Sequence, residues 1–188
     1  LKFFRKERFV PMAFEVMDEN CIQAVCSVQS VPSPFSTSFE YLILIEIEKE
    51  NDPKFFDRLN QWLEKLMASQ LISDGTLAED SETLRRLWQY RERITESLAA
   101  KGIVYKNDIA LPIQHMESFI TNLVSQFPKW LPKDELFLFG HLGDGNIHTN
   151  ILKNPKTESL EFLKSCEEVN HQLFSLLKKF DGSVAAEH

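Results

Sequence analysis

Hydrophobic and polar residues recur along the chain with two different periods, and each period predicts a different kind of element. Segment 41–48 ends in strict alternation, Ile45 to Glu48, which predicts a strand with one solvent-facing side. Helical spacing of apolar residues is clearest over 81–100, which predicts one continuous amphipathic helix. The other predicted helices are 13–29, 52–69, 116–127 and 159–180, and the other predicted strands are 72–78, 103–110, 136–139 and 147–152.

Strands and helices interleave in this order without a regular strand–helix–strand repeat. This arrangement is typical of the α+β class, here one antiparallel-rich sheet with helices packed against it. The proline- and serine-containing segment 31–38 predicts a loop, and Gly102 predicts a C-cap between the long helix and the next strand. A chain of 188 residues, 43% of them hydrophobic, is long enough for a single domain with an apolar core.

Charge and composition argue against several classes of protein. The 21 lysines and arginines against 28 aspartates and glutamates give a net charge of −7, which argues against binding of nucleic acid through phosphate neutralisation. No stretch of 18 apolar residues predicts a transmembrane helix, and the charged residues among the first nine do not predict a signal peptide. Three cysteines favour a reducing compartment, the cytoplasm or, in a eukaryote, the mitochondrial matrix.

Glycine is concentrated at one place. Three of the six glycines fall within six residues of the segment GHLGDGNIH (140–148). Their order matches neither the dinucleotide fingerprint nor a P-loop, which disfavours a phosphate cradle. If one strand ends near His141 and another begins near His148, a tight glycine turn brings both imidazoles to the same end of the sheet. Such a pair could bind zinc or a similar divalent ion, the alternative being an ordinary loop in which both histidines form hydrogen bonds.

The C-terminal residues extend this candidate metal site. Glu187 could supply a third ligand, which gives the two-histidine, one-carboxylate pattern of a catalytic metal site with open positions. His188 beside it suits a general base, because the pKa of an imidazole lies near working pH. The remaining cysteines and histidines are assigned to core, surface or helix positions outside this site: Cys21, Cys26, Cys166, His115 and His171.

A second candidate group lies upstream. Arg91 and Thr95 are four residues apart and are expected on one face of the long helix, and Lys106 lies on the following strand. Guanidinium groups bind carboxylates in a forked geometry and lysine adds a point charge, so the group could hold an acidic substrate. The alternative is a charged, solvated helix surface, which the neighbouring Glu92 and Arg93 fit well.

Four segments in this order resemble the C-terminal substrate domain of FAD-linked oxidases: WQYRERIT (88–95), VYKNDIALP (104–112), GHLGDGNIHTN (140–150) and GSVAAEH (182–188). Within that family the likeness is greatest to D-2-hydroxyglutarate dehydrogenases, with D-lactate dehydrogenases next. The resemblance implies an α+β domain with ferredoxin-like elements, preceded in the longer protein by an FAD-binding domain. We therefore expect residues 1–188 to be one substrate- and metal-binding domain, a piece of a longer flavoprotein, and inactive alone.

The resemblance also implies a role for each matching residue. The implied ligands of the metal, usually zinc, are His141, His148 and Glu187. His188 matches the base that takes the hydroxyl proton and also contacts the substrate. The other implied substrate contacts are Arg91, Thr95, Lys106 and Asn150. The implied reaction is the FAD-dependent oxidation of a D-2-hydroxy acid, first of all D-2-hydroxyglutarate to 2-oxoglutarate. A flavin or nicotinamide is required because no side chain accepts a hydride.

The expected partners are the small 2-hydroxy acid, the FAD-binding domain and an electron acceptor of unknown identity; nucleic acid is not expected, and a homodimer stays open. D-lactate or another 2-hydroxy acid is the alternative substrate. A dicarboxylate substrate predicts that Arg91 and Lys106 both face the site, because it gives the second cation a partner. A non-catalytic binding module that kept the fold is a further alternative, and it predicts that His141 and His148 point apart or bind no metal.

Overall fold

The structure is a computed structural model that describes residues 9–184, and all structural statements refer to these residues. The strands are β1 (Pro11–Asp18), β2 (Tyr41–Ile47), β3 (Val104–Ala110), β4 (Glu135–His141), β5 (Asn146–Leu152) and β6 (Ser183–Val184). The helices are α1 (Glu19–Gln29), α2 (Phe55–Ala68), α3 (Ser81–Glu92), α4 (Ile94–Lys101), α5 (Ile113–Trp130) and α6 (Ser159–Lys178), with a 3₁₀ turn at Leu142–Asp144.

The strands form one sheet in the order β2-β1-β4-β5-β3-β6, and every neighbouring pair is antiparallel. The predicted α+β class with an antiparallel sheet is therefore confirmed. The hairpin β4–β5 occupies the centre, so its residues are flanked by strands on both sides. The predicted partnership of segments 136–139 and 147–152 is also confirmed, with Phe139 opposite His148.

The two faces of the sheet differ in chemistry. One, which we call the core face, packs its apolar side chains against α5 and α6; its members are Val16, Ile109, Leu138, Ile147 and Ile151. The other, which we call the mixed face, alternates with it residue by residue. It carries Glu15, Met17, Lys106, Asp108, Phe137, Phe139, His141, His148 and Asn150. Helices α1 and α4 cover its apolar part.

Segment 13–29, predicted as a single helix, is a strand followed by a helix, so that prediction is wrong for its first part. Residues Phe14 to Met17 alternate between the two faces, as a strand buried on both sides requires. The change occurs at Asp18, whose carboxylate accepts hydrogen bonds from the backbone N–H of Cys21 (2.8 Å) and of Leu138 (2.7 Å). Asp18 thus begins α1 as its N-cap and ties that helix to β4.

The predicted helix 81–100 is interrupted at Arg93, where the backbone (φ −91°, ψ 4°) leaves helical geometry. The interruption separates an exposed helix from a buried one. No side chain of α3 is buried, whereas Ile94 and Leu98 of α4 lie in the core against α1. Gly102 ends α4, as predicted, and donates its backbone N–H to the carbonyl of Leu98 (3.2 Å).

Two other boundaries differ from prediction. Segment 72–78 contains no strand, because the Asp74 carboxylate accepts a hydrogen bond from the N–H of Gly75 (2.7 Å) in a turn that has no strand partner. Helix α5 is longer than 116–127 and begins directly after Pro112, whose fixed φ suits a helix start. The loop at 31–38 is confirmed. Within the described range, none of the helices combines the length and apolar character that a membrane crossing requires.

Candidate functional site

The glycine-rich turn between β4 and β5 brings two histidines together. Gly145 has a φ of 73°, and a Cβ there would lie 2.3 Å from the carbonyl oxygen of Leu111, so a side chain does not fit. The Gly145 carbonyl in turn accepts the N–H of Leu111 (2.9 Å), which fastens the turn to the end of β3. The predicted geometry is confirmed, because β4 ends at His141 and β5 carries His148 at the same end of the sheet.

The two imidazoles are neighbours on the mixed face. Their ring centroids are 5.7 Å apart and the ring planes meet at 78°. The His141 side chain is 41% exposed, whereas that of His148 is 11% exposed and tilts against the ring of Phe139. The pair therefore spans from the interior to the surface, which suits a site that a small molecule can reach.

Each imidazole is held by a carboxylate from the strand beside it. His141 Nδ1 lies 2.7 Å from Oε1 of Glu15, the residue opposite it on β1. His148 Nδ1 is hydrogen-bonded to Oδ1 of Asp108, the residue opposite it on β3. A carboxylate accepts, so Nδ1 is the donor in both rings, and in the neutral imidazole this leaves the lone pair on Nε2. A carboxylate behind the ring is the usual arrangement of a metal-ligating histidine.

Arg91 approaches the same face from α3. Its Nε donates to Oε2 of Glu15 (2.7 Å), and its guanidinium lies 4.9 Å from the centre of the Phe139 ring. The side chain is only 12% exposed, so the cation is fixed between a carboxylate and an aromatic face. Glu15 consequently contacts both Arg91 and His141.

Lys106 and Asn150 extend the polar part of the mixed face. They lie directly opposite each other on β3 and β5, one residue pair along the same face from Asp108 and His148. Asn150 is 2% exposed while Lys106 is exposed. Over residues 9–184, the side chains of both lack a hydrogen bond or ion pair, which leaves an amide and a cation available to a ligand.

Thr95 does not lie on the same helix as Arg91. It lies on α4, beyond the interruption at Arg93, so the prediction that one helix carries both Arg91 and Thr95 is wrong. Its side chain is exposed.

Glu187 and His188 lie outside the described residues. The last described residue, Val184, pairs with Ile109 on β3, next to Asp108. Between residues 9 and 184, no three histidines, cysteines, aspartates or glutamates are grouped so that they could hold a metal ion. A complete ligand set for a metal would therefore need a group from elsewhere.

The distance between His141 and His148 fits a shared divalent ion. Zinc lies about 2.0–2.1 Å from each ligating nitrogen in tetrahedral geometry, which places two ring centroids roughly 5 Å apart. The observed 5.7 Å requires only a small adjustment of exposed His141. With Nδ1 of each ring bound to a carboxylate, Nε2 is the nitrogen that would ligate the ion.

Sequence reasoning missed the two carboxylates. Glu15 falls in the segment predicted as helix, and Asp108 has no assigned role although its segment is singled out. A charged residue at an inward position of an apolar strand was the available signal for Glu15. Its partner depends on strand register, which the sequence does not reveal.

The cysteines occupy core or half-buried positions, in agreement with their predicted assignment. Cys21 and Cys166 are buried and Cys26 is half-buried. Burial raises the pKa of the Cys21 thiol well above its usual range and that of Cys166 to about 12. These thiols are therefore protonated at neutral pH and are poor ligands and nucleophiles.

Comparison with known proteins identifies the family to which the chain belongs. The chain belongs to the FAD-linked oxidases: residues 1–188 match the family described as "FAD linked oxidases, C-terminal domain".

Three curated relatives show which members of this family the chain is similar to. The chain is 31% identical over 176 residues to the D-2-hydroxyglutarate dehydrogenase of Stutzerimonas stutzeri, covering 94% of this chain and 38% of that protein. It is 34% identical over 178 residues to the mitochondrial D-2-hydroxyglutarate dehydrogenase of Danio rerio, covering 94% and 32%. A putative mitochondrial D-lactate dehydrogenase of Schizosaccharomyces pombe is 32% identical over 186 residues, covering 94% and 34%. The chain thus spans about a third of the length of these curated relatives.

Proposed function

We propose that the chain is the substrate- and metal-binding part of an FAD-dependent dehydrogenase that oxidises D-2-hydroxyglutarate to 2-oxoglutarate. The observation that carries the proposal is the mixed face, where two carboxylate-anchored histidines lie beside two cationic side chains, Arg91 and Lys106. The relatives named D-2-hydroxyglutarate dehydrogenase support it. Their greater length supports an FAD-binding domain in the same longer protein, without which this part is inactive.

The metal, zinc in the first instance, is assigned to His141, His148 and Glu187. The first two are supported by their 5.7 Å separation and their carboxylate partners. Glu187 follows Val184 by three residues, which span at most about 11 Å of extended chain. The last described residue, Val184, pairs with Ile109, the neighbour of Asp108, and this supports Glu187 as the third ligand.

The substrate carboxylates are assigned to the cations. Arg91 lies over β4 and Lys106 on β3, two strand spacings apart, or about 10 Å. The long, exposed Lys106 side chain can close that gap around a five-carbon dicarboxylate lying over β5. Buried Asn150, opposite Lys106, can hydrogen-bond a substrate oxygen, and Thr95 is kept as a further contact.

The chemistry divides between this chain and the groups it would bind. When bound, the divalent ion supplies Lewis-acid polarisation of the C2 hydroxyl and the flavin supplies a hydride acceptor. The chain itself orients the two carboxylates through Arg91 and Lys106 and receives the hydroxyl proton on the imidazole of His188. Glu15 and Asp108 keep the ligand rings in one tautomer.

Two alternatives make different predictions. A D-lactate substrate has one carboxylate, so it leaves either Arg91 or Lys106 without an anionic partner; the relative named as a putative D-lactate dehydrogenase favours it. A non-catalytic module predicts that His141 and His148 point apart or bind no metal; their rings are in edge contact, so metal binding distinguishes the module from the enzyme. We place the enzyme in the cytoplasm, or in the mitochondrial matrix if the source is eukaryotic, where an electron acceptor must reoxidise the flavin.

The test is substrate preference in the full-length flavoprotein, measured with an artificial electron acceptor. We expect kcat/KM to favour D-2-hydroxyglutarate over D-lactate. Lys106→Ala should raise KM for D-2-hydroxyglutarate about tenfold or more and leave KM for D-lactate nearly unchanged, because only the dicarboxylate uses the second cation. Equal loss on both substrates, or a preference for D-lactate in the unaltered protein, would contradict the assignment.

A further inference from the structure

We propose that Glu15 is a positioning residue that couples the metal half of the site to the substrate half. It holds metal ligand His141 through one carboxylate oxygen and substrate-binding Arg91 through the other. This inference rests on the proposed function, because the roles of His141 and Arg91 come from it.

The geometry assigns one partner to each oxygen of Glu15. Oε1 accepts from Nδ1 of His141 and Oε2 from Nε of Arg91, both at 2.7 Å. Glu15 is 4% exposed, so water cannot easily replace either partner. A buried carboxylate is tolerated only when it is paired and hydrogen-bonded, and here the two functional side chains are its partners.

The contact fixes the direction of the Arg91 guanidinium. Nε is bound to Glu15 and the guanidinium plane lies near the Phe139 ring, so two sides of the group are defined. Over residues 9–184, Nε makes the side chain's one hydrogen bond, which leaves the Nη groups as the donors for a substrate carboxylate. Loss of Glu15 would release a long, flexible cation from this orientation.

The same contact fixes the His141 ring. Because the Glu15 carboxylate accepts a hydrogen bond from Nδ1, it favours the His141 tautomer whose Nε2 lone pair can bind a cation. The His141 side chain is 41% exposed, so packing constrains it little and Glu15 is the main constraint on its orientation.

Asp108 provides an internal contrast. It contacts His148 in the same way that Glu15 contacts His141, but within the described range no arginine shares its carboxylate. Asp108 therefore serves the metal half alone. Glu46 provides a matched control: it lies on the same face of the sheet, on β2, accepts from Nε1 of Trp88 on α3 (2.9 Å), and belongs to neither histidine pair.

The experiment compares Glu15→Gln, Glu15→Asp, Asp108→Asn and Glu46→Gln in the full-length protein. Gln keeps the size but offers a single acceptor oxygen, so one partner must be lost. Asp keeps the negative charge but is one methylene shorter. Any weakening of zinc or substrate binding that it causes therefore reflects the lost hydrogen-bond geometry and not a lost charge. The readouts are the zinc dissociation constant by competition calorimetry and, in the holoenzyme, KM and kcat for D-2-hydroxyglutarate.

We expect both Glu15 variants to weaken zinc binding by about 10- to 100-fold, the usual effect of a lost carboxylate partner, and to raise KM for D-2-hydroxyglutarate at matched zinc saturation. Asp108→Asn should weaken zinc binding with little change in KM at saturating zinc, and Glu46→Gln should change neither. If Glu15→Gln does not fold, as its thermal unfolding will show, Glu15→Asp carries the same test.

The outcomes separate this inference from the function on which it rests. An unaltered protein that binds no zinc overturns the proposed metal site and this inference with it. An unaltered protein that binds zinc while the Glu15 variants bind it equally well overturns this inference alone. Weakened zinc binding with an unchanged KM in Glu15→Asp as well as in Glu15→Gln also overturns it, because Glu15 would then serve His141 without coupling it to Arg91.

Discussion

The two faces of the sheet are built from the same strands but are used differently. On the core face the strands contribute buried apolar side chains to the contact with α5 and α6. On the mixed face apolar residues occur where α1 and α4 cover the sheet, and polar residues occur beyond that cover. Because side chains of a strand alternate, neighbours such as Ile147 and His148 carry separate tasks. The proposed function thereby assigns stability and chemistry to opposite sides of one sheet.

The largest expected effect tests the mixed face. His148→Ala in the full-length protein should lower kcat/KM for D-2-hydroxyglutarate by about 1000-fold or more, equivalent to about 4 kcal/mol of activation free energy. The reason is the loss of an assigned ligand that Asp108 orients. Steady-state kinetics of the variant measure it. Activity near that of the unaltered protein would show that the mixed face does not carry the reaction.

Ile147, the residue before His148, tests the core face. Ile147 is fully buried on the opposite side of β5, so Ile147→Ala should lower the free energy of unfolding by about 2–5 kcal/mol. Zinc affinity should change by less than about threefold, well below the effect of losing a residue that orients a ligand. Urea unfolding and zinc calorimetry measure the two quantities. A loss of stability below about 1 kcal/mol, or a large loss of zinc affinity, would break the division between the faces.

Asp18 extends the comparison, because it is a partly buried carboxylate whose hydrogen bonds are structural. Burial raises its pKa to about 6 from 3.8, against the opposing effect of its two backbone hydrogen bonds. The folded state therefore holds the proton more tightly than the unfolded state. The stability this contributes is complete below pH 4 and is lost as pH rises through 6, a change of at most about 3 kcal/mol.

Asp18→Asn removes this titration. The free energy of unfolding of the unaltered protein, relative to that of the variant, should fall between pH 4 and pH 7. Urea denaturation at a series of pH values measures the difference. A free-energy difference that stays constant across that pH range would show that burial does not raise the pKa of Asp18.

The smallest effect comes from Arg93, two residues after Arg91. Its ion pair with Glu96 (3.2 Å) is exposed, so Arg93→Ala should change the free energy of unfolding by less than about 0.5 kcal/mol. KM for D-2-hydroxyglutarate should also stay the same, in contrast to any change at Arg91. A rise in KM for Arg93→Ala would mean that substrate binding also uses an arginine that Glu15 does not hold.

The parts of the fold that could be predicted from the sequence are those set by local pattern. Segments 136–139 and 147–152 and the glycine turn between them carry their own signals, and the turn placed His141 and His148 correctly. The helix predicted over 13–29 was wrong because an alternation of only four residues precedes the Asp18 cap. The interruption at Arg93 was missed because apolar spacing continues across it.

The site's supporting residues could not be predicted for a different reason. Glu15 and His141 are 126 residues apart in the chain and meet only through the pairing of β1 with β4. Asp108 and His148 meet through the register of β3 with β5. Local pattern identifies residue types that can bind a metal or a carboxylate, whereas the partners that orient them depend on the assembled sheet.

The most direct test of the central claim is zinc binding to the metal-depleted full-length protein, with His141→Ala as the matched variant. If His141 is a metal ligand, calorimetry should find one zinc per chain in the unaltered protein. In the variant this binding should be lost or weakened at least about 100-fold. Absence of zinc binding in the unaltered protein, or equal binding in the variant, would contradict the assignment of this face as the metal site.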